Sequence, residues 1–186
     1  IEAVSEALSS VSIHYGGDSP ESGMEALYQA MTGSGYDQNC DGIYDATTDV
    51  APFIARSSDL FSGAIGAAEG FDAVLGDRGG LGFGLNSLPI IIYATDNYLR
   101  DPDAGYGAPG GCPRDAGSSD DVDAAEAIGA TLIGIETNSW SSSLAQMEDL
   151  AERTGSLYDS TGDGEPDAPH AYSWTGSSDL LRTTVV

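Results

Sequence analysis

The sequence predicts an α/β fold built on a doubly wound, mostly parallel sheet with helices on both faces. Three observations carry that expectation. Leu88-Pro89-Ile90-Ile91-Ile92-Tyr93-Ala94-Thr95-Asp96 is an almost unbroken apolar run that stops at Thr-Asp, as a strand buried on both faces does. Thr131-Leu132-Ile133-Gly134-Ile135-Glu136 repeats the pattern. Stretches with helical spacing of apolar residues precede and follow these runs, and strands alternating with helices make such a sheet.

Ligands in open α/β sheets bind beyond the carboxyl ends of the strands. Asp96 stands at such an end, where it either caps the following turn or belongs to a site. Upstream, Ile1, Val4, Leu8 and Val11 space a helix over Ile1–Ser12, and Tyr15-Gly16-Gly17 turns the chain. A second helix follows Asp18-Ser19-Pro20-Glu21-Ser22-Gly23, with Met24, Leu27 and Met31 as its apolar stripe and Thr32-Gly33 as its end. Residues 33–84 and 97–117 read as loop insertions in a single domain spanning 1–186, with a short apolar patch at Val50–Ile54. The glycine-rich stretch Gly76–Gly84 precedes a strand and lacks lysine, which excludes a phosphate-binding loop.

Ser118 or Ser119 caps the next helix, with Asp120 and Asp121 at its positive end and Val122, Ala125 and Ile128 inward. Ser143 and Gln146 form a capping-box pattern ahead of Leu144, Met147, Leu150 and Ala151. Leu157-Tyr158 is the last short strand, and a helix starts at Ser178.

The 186 residues carry 30 acidic and 6 basic side chains, a formal charge of −24. Every basic residue is an arginine. Nucleic acid and anionic membrane are repelled by such a surface. The excess of carboxylates either binds cations or keeps the protein soluble in salt. No apolar run is long enough to span a bilayer. The chain opens on Ile1, as a processed or truncated product does. Cys40 and Cys112 both lie in loops, and a disulfide between them in an oxidising compartment is expected.

Gly17-Asp18-Ser19-Pro20-Glu21-Ser22-Gly23 leading into Met24-Glu25-Ala26-Leu27, followed by Ile91-Ile92-Tyr93-Ala94-Thr95-Asp96, resembles a von Willebrand factor type A domain, most closely the I-like domain of integrin β subunits. Gly129–Ile135 and the Met147…Leu150-Ala151…Thr154-Gly155-Ser156 helix continue the match in family order. The resemblance implies a Rossmann-like sheet with a metal-ion-dependent adhesion site at its switch point. Glu21 matches that site's second-loop carboxylate and Asp96 its closing aspartate, while Asp18 and the Pro20 carbonyl match ligands of a neighbouring cation. Such a site holds Mg²⁺ or Mn²⁺ through oxygen ligands and leaves a position open for a partner's carboxylate. Asp18 and Glu21 read blandly as caps of the helix near Ser22. No Asp-x-Ser-x-Ser loop precedes Asp18, so the resemblance implies the C-terminal portion of the fold, with its N-terminal strands expected from a second chain or a cleaved segment beside Leu88–Thr95.

Two further stretches have the pattern of calcium loops. Asp37, Asn39, Asp41, Ile43 and Asp45 fall at alternate positions around Gly42, and Asp159, Thr161, Asp163, Glu165 and Asp167 repeat the scheme around Gly164. Thr48 and His170 stand where a closing glutamate belongs, so the loops are similar to those of dockerin or thrombospondin type 3 repeats. The alternative is an Asx/Gly-rich turn without metal. His14 and His170 have no metal-ligand spacing and read as structural, and no nucleophile elbow or specific carboxylate pair points to an enzyme.

The leading expectation is an extracellular or cell-surface module that binds a protein partner through a divalent cation, with calcium-stabilised loops. The alternatives are a purely structural, calcium-rigidified component of a surface assembly and, more weakly, a metal-dependent hydrolase.

Overall fold

A computed structural model of the chain describes residues 19–52, 78–106, 115–137 and 143–174. The elements are α1 (Gly23–Thr32), β1 (Ile90–Thr95), a 3-10 turn (Pro102–Ala104), α2 (Ser118–Ile128), β2 (Thr131–Glu136), α3 (Ser143–Arg153), β3 (Leu157–Tyr158), β4 (Ala168–Pro169) and β5 (Ala171–Ser173). The expected helices over Ile1–Ser12 and from Ser178 lie outside the described residues.

The α/β expectation holds in its coarse form: β1, β2 and β5 form a parallel three-stranded sheet in that order, with Ile91 opposite Leu132 and Ile135 opposite Tyr172. The third strand is β5, where the sequence suggested loop. Leu157-Tyr158 instead pairs antiparallel with Ala168-Pro169, making a hairpin that leads into β5.

All three described helices pack on one face. Met24, Leu27 and Met31 of α1, Ala124 and Ala125 of α2 and Leu150 of α3 close over Ile91 and Leu132 in one core. For α2 and α3, which connect β1 to β2 and β2 towards β5, right-handed crossovers explain this, because a sheet that grows in one direction puts successive helices on the same side. Helices on both faces are therefore not seen among the described residues. Gly134 lets α3 lie close: a Cβ there would sit 2.8 Å from the Met147 side chain.

The buried centre is β2, not β1. Leu132, Ile133, Ile135 and Glu136 are all buried, whereas Ile90 is 47 % and Ile92 59 % exposed. The bonds from Thr131 N–H to the Pro89 carbonyl and from Thr137 N–H to the Thr95 carbonyl set the phase of the β1–β2 ladder. Odd-numbered residues of β1 thus face β2, and the N–H and C=O of Ile90, Ile92 and Ala94 point to the other edge, where no strand pairs among the described residues.

The helix ends depart from the expected caps. Gly117, rather than a serine, precedes α2, and aspartates from the 3-10 turn reach over: Asp101 accepts from Ser118 N–H at 3.1 Å and Asp103 from Ser119 N–H at 2.9 Å. Asp120 accepts from Gly117 N–H as expected of a first-turn acid. The Ser143–Gln146 capping box does not form. Glu136, buried at the end of β2, accepts from Ser143 Oγ (2.9 Å) and Leu144 N–H (3.2 Å). Gln146 instead grips the Leu99 backbone, accepting from its N–H at 2.9 Å and donating to its carbonyl at 2.8 Å. A buried carboxylate is the stronger acceptor for helix N–H groups, which frees the amide for the loop.

Cys40 is disulfide-bonded, and Cys112, outside the described residues, is the one other cysteine in the chain. Reducing the bond, or Cys40→Ser, is expected to lower unfolding free energy by about 2–4 kcal/mol through the freed loop. Denaturant midpoints with and without reductant measure it, and coincident midpoints contradict it.

Candidate functional site

The carboxyl end of β1 is where the chain gathers polar groups. Beyond Thr95 the strand opens into a loop, and the segment ahead of α1 lies beside that loop. Glu21 N–H donates to the Tyr98 carbonyl at 2.9 Å, and Arg100 N–H donates to the Glu21 carbonyl at 2.6 Å. Ser19 Oγ donates to Asn97 Oδ1 at 2.9 Å. Glu21 and Asp96, seventy-five positions apart in sequence (96 − 21), therefore sit on adjoining backbone stretches with both side chains exposed. Asp18 lies outside the described residues.

The Pro20 carbonyl, expected to face a metal, accepts from the Arg100 guanidinium at 3.0 Å. The same guanidinium donates to Ser22 Oγ at 2.6 Å and meets Asp115 at 3.5 Å. Arg100 and Asp115 are 6 % and 2 % exposed, and Tyr36 donates its hydroxyl to Asp115 at 2.7 Å. The sequence reading missed this knot. Its signal was Arg100 itself, one of few cations in an acidic chain, placed four residues past Asp96 (100 − 96). Glu25 borders the knot, accepting from Ala116 N–H at 2.7 Å and from Gln29 at 2.7 Å, and burial raises its carboxyl above the ordinary range.

The two acidic loops have the same backbone design. In each, the first aspartate accepts N–H bonds from the fourth and sixth residues: Asp37 from Cys40 (2.8 Å) and Gly42 (2.7 Å), Asp159 from Gly162 (2.6 Å) and Gly164 (2.7 Å). Those four residues all have positive φ. The fifth-position aspartates, Asp41 and Asp163, accept from the Ile43 and Glu165 N–H groups. The loops differ in how they close. Asp167 takes the Ser160 N–H in the second, whereas in the first Asp49, 8 % exposed, takes the Gln38 and Asp45 N–H groups. Asp49 was missed because it falls one place after Thr48, the position tested for a closing acid.

Backbone N–H groups lower the pKa of Asp45, Asp49, Asp159 and Asp163. The Gly164 N–H leads in lowering Asp159, the Glu165 N–H in lowering Asp163, the Thr47 N–H in lowering Asp45, and the Asp45 N–H in lowering Asp49. Ionised oxygen donors at alternate positions suit a hard cation. Among the described residues, however, no three Asp, Glu, His or Cys side chains converge on one point as they stand. Asn39 and Thr161 complete the oxygen sets: Asn39 accepts from Asp41 N–H, and Thr161 donates to Asp159. His170 sits against Tyr158 and Tyr172, bonded to the Tyr172 hydroxyl at 2.9 Å, and burial lowers its pKa.

Compared with family models, curated proteins and solved structures, the chain matches none.

Proposed function

We propose that the chain is a protein-binding module of the von Willebrand type A kind, acting outside the cell or at its surface through a divalent cation. The observation that supports this reading best is the meeting of the Ser19–Glu21 segment with the Asp96–Arg100 loop at the carboxyl end of β1. Two separated acids on adjoining loops at that end suit Mg²⁺ or Mn²⁺ with a position left for a partner's carboxylate. In this reading the remaining oxygen ligands come from a second chain or a cleaved segment lying beside β1. The loops at Asp37–Asp49 and Asp159–Asp167 take Ca²⁺ and stiffen the surface around it.

Titration calorimetry of the chelator-treated protein separates the two kinds of site. Mn²⁺ heat lost in Glu21→Ala and Asp96→Ala, but kept in Asp41→Ala and Asp163→Ala, is the expected result. Millimolar Ca²⁺ should raise the melting temperature by mass action, with part of the gain lost in Asp41→Ala and another part in Asp163→Ala. Identical melting curves in calcium and chelator would remove the loop sites. The shared design of the two loops also favours a second reading, a calcium-rigidified structural component. That reading gains if Ca²⁺ stabilises the chain while Mn²⁺ gives no heat.

A further inference from the structure

We propose that the outer edge of β1, which no strand pairs among the described residues, is a docking site for an extended strand whose centre is apolar and whose flanks are basic. The inference rests on the reading that a second polypeptide segment lies beside β1, and it specifies that segment's chemistry.

The edge dictates the backbone. Ile90, Ile92 and Ala94 present their N–H and C=O groups outward, and all three residues are exposed. Alternating donors and acceptors at strand spacing are matched by another extended chain. The surroundings dictate the side chains. On the helix side the edge opens into a groove of about 490 Å³, bounded by Ala26, Leu27 and Ala30 of α1 and by Leu99. The short alanine side chains leave room there for side chains from a docked strand. On the opposite side Leu88, Ile90 and Ile92 are exposed at 67 %, 47 % and 59 %. A strand laid on this edge therefore meets apolar surface on both of its faces.

Charge dictates the flanks and excludes a second copy. Among the described residues, the groove's one charged lining residue is Glu21, at the end where Asp96 is also exposed. The chain as a whole carries −24, so pairing β1 with β1 of another copy brings two strongly like-charged bodies together, whereas a basic-flanked strand is drawn in.

The probe is a short Val/Ile/Thr-rich peptide flanked by lysines, offered to the oxidised protein in chelator so that no cation site takes part. Binding by fluorescence anisotropy is expected to be roughly tenfold tighter than for the same peptide flanked by glutamates, with the gap narrowing in salt. Hydrogen exchange should slow by roughly tenfold at the Ile90, Ile92 and Ala94 amides. N-methylation at alternate peptide positions should abolish binding in one phase and spare it in the other. Ile92→Pro removes an outward donor while leaving the β2 ladder intact, and should lose the peptide. If both methylated phases bind alike, or protection falls elsewhere, the strand proposal fails. Protection of these amides in a dimer without peptide makes a second copy the occupant and overturns it. Binding that requires Mn²⁺ leaves the cation reading standing and overturns the edge acting alone. Peptide binding in chelator with no Mn²⁺ heat in calorimetry has the opposite meaning.

Discussion

Replacing Arg100 by methionine is expected to cost about 3–5 kcal/mol of folding free energy, the cost of stranding a buried charge. The guanidinium joins three parts of the chain: the Pro20 carbonyl and Ser22 hydroxyl ahead of α1, its own loop beyond β1, and Asp115 ahead of α2. Its removal leaves Asp115, 2 % exposed, with only the Tyr36 hydroxyl as a side-chain partner among the described residues. The double change Arg100→Met, Asp115→Leu should recover much of the loss, since the stranded charge leaves with its partner. Urea denaturation of the single and double variants measures both. A single variant within about 1 kcal/mol of the parent would mean the knot holds little.

Asp121 gives the opposite prediction. Its carboxyl is 0 % exposed, and neither oxygen has a hydrogen-bond partner among the described residues. Burial, then the charges of Glu25, Asp120 and Asp101, push it up to about 9 from 3.8. Tyr28 of α1 and Tyr93 of β1 are the titratable hydroxyls near it. The native state keeps a proton that the unfolded chain releases, so this group's contribution is greatest below about pH 4 and falls as pH climbs towards 9. Asp121→Leu should flatten that slope and raise stability at pH 8 by about 2–3 kcal/mol. Denaturation at pH 5 and pH 8 decides the matter, and parallel slopes in parent and variant would refute it.

Much of the helix layer was legible in the sequence because apolar spacing and a terminal glycine report it directly. Met24, Leu27 and Met31 are buried, and Gly33 ends α1 at φ 63°. Ile90-Ile91-Ile92 misled, because an unpatterned apolar triplet looks the same whether one face or two is covered. β5 was hidden because Ala171-Tyr172-Ser173 is too short for a period to show. The substitute caps were illegible for another reason. Glu136, Asp101 and Asp103 act across the fold, and local pattern says nothing of which distant acid reaches a helix end. At the candidate site the acids themselves were readable, but the arginine that holds their loops together is a tertiary fact.

The isoleucine triplet has a further consequence. In a strand with alternating polarity, sliding by one residue turns every core side chain towards water and is strongly penalised. Here a slip would exchange Ile91 for Ile90 or Ile92, isoleucine for isoleucine, and the cost falls instead on Tyr93, whose place against the core would pass to Ile92 or Ala94. The isoleucines therefore say little about the alignment of β1 on β2, which falls to Tyr93 and to the ends of the strand. Pro89, which has no N–H, offers only its carbonyl to Thr131, and Thr95 offers its carbonyl to Thr137 while its hydroxyl accepts from Asn97 N–H. The most hydrophobic strand in the chain is thus held in place by its least hydrophobic neighbours, and substitutions at Pro89 and Thr95 should disturb its alignment more than isoleucine-to-valine changes between them.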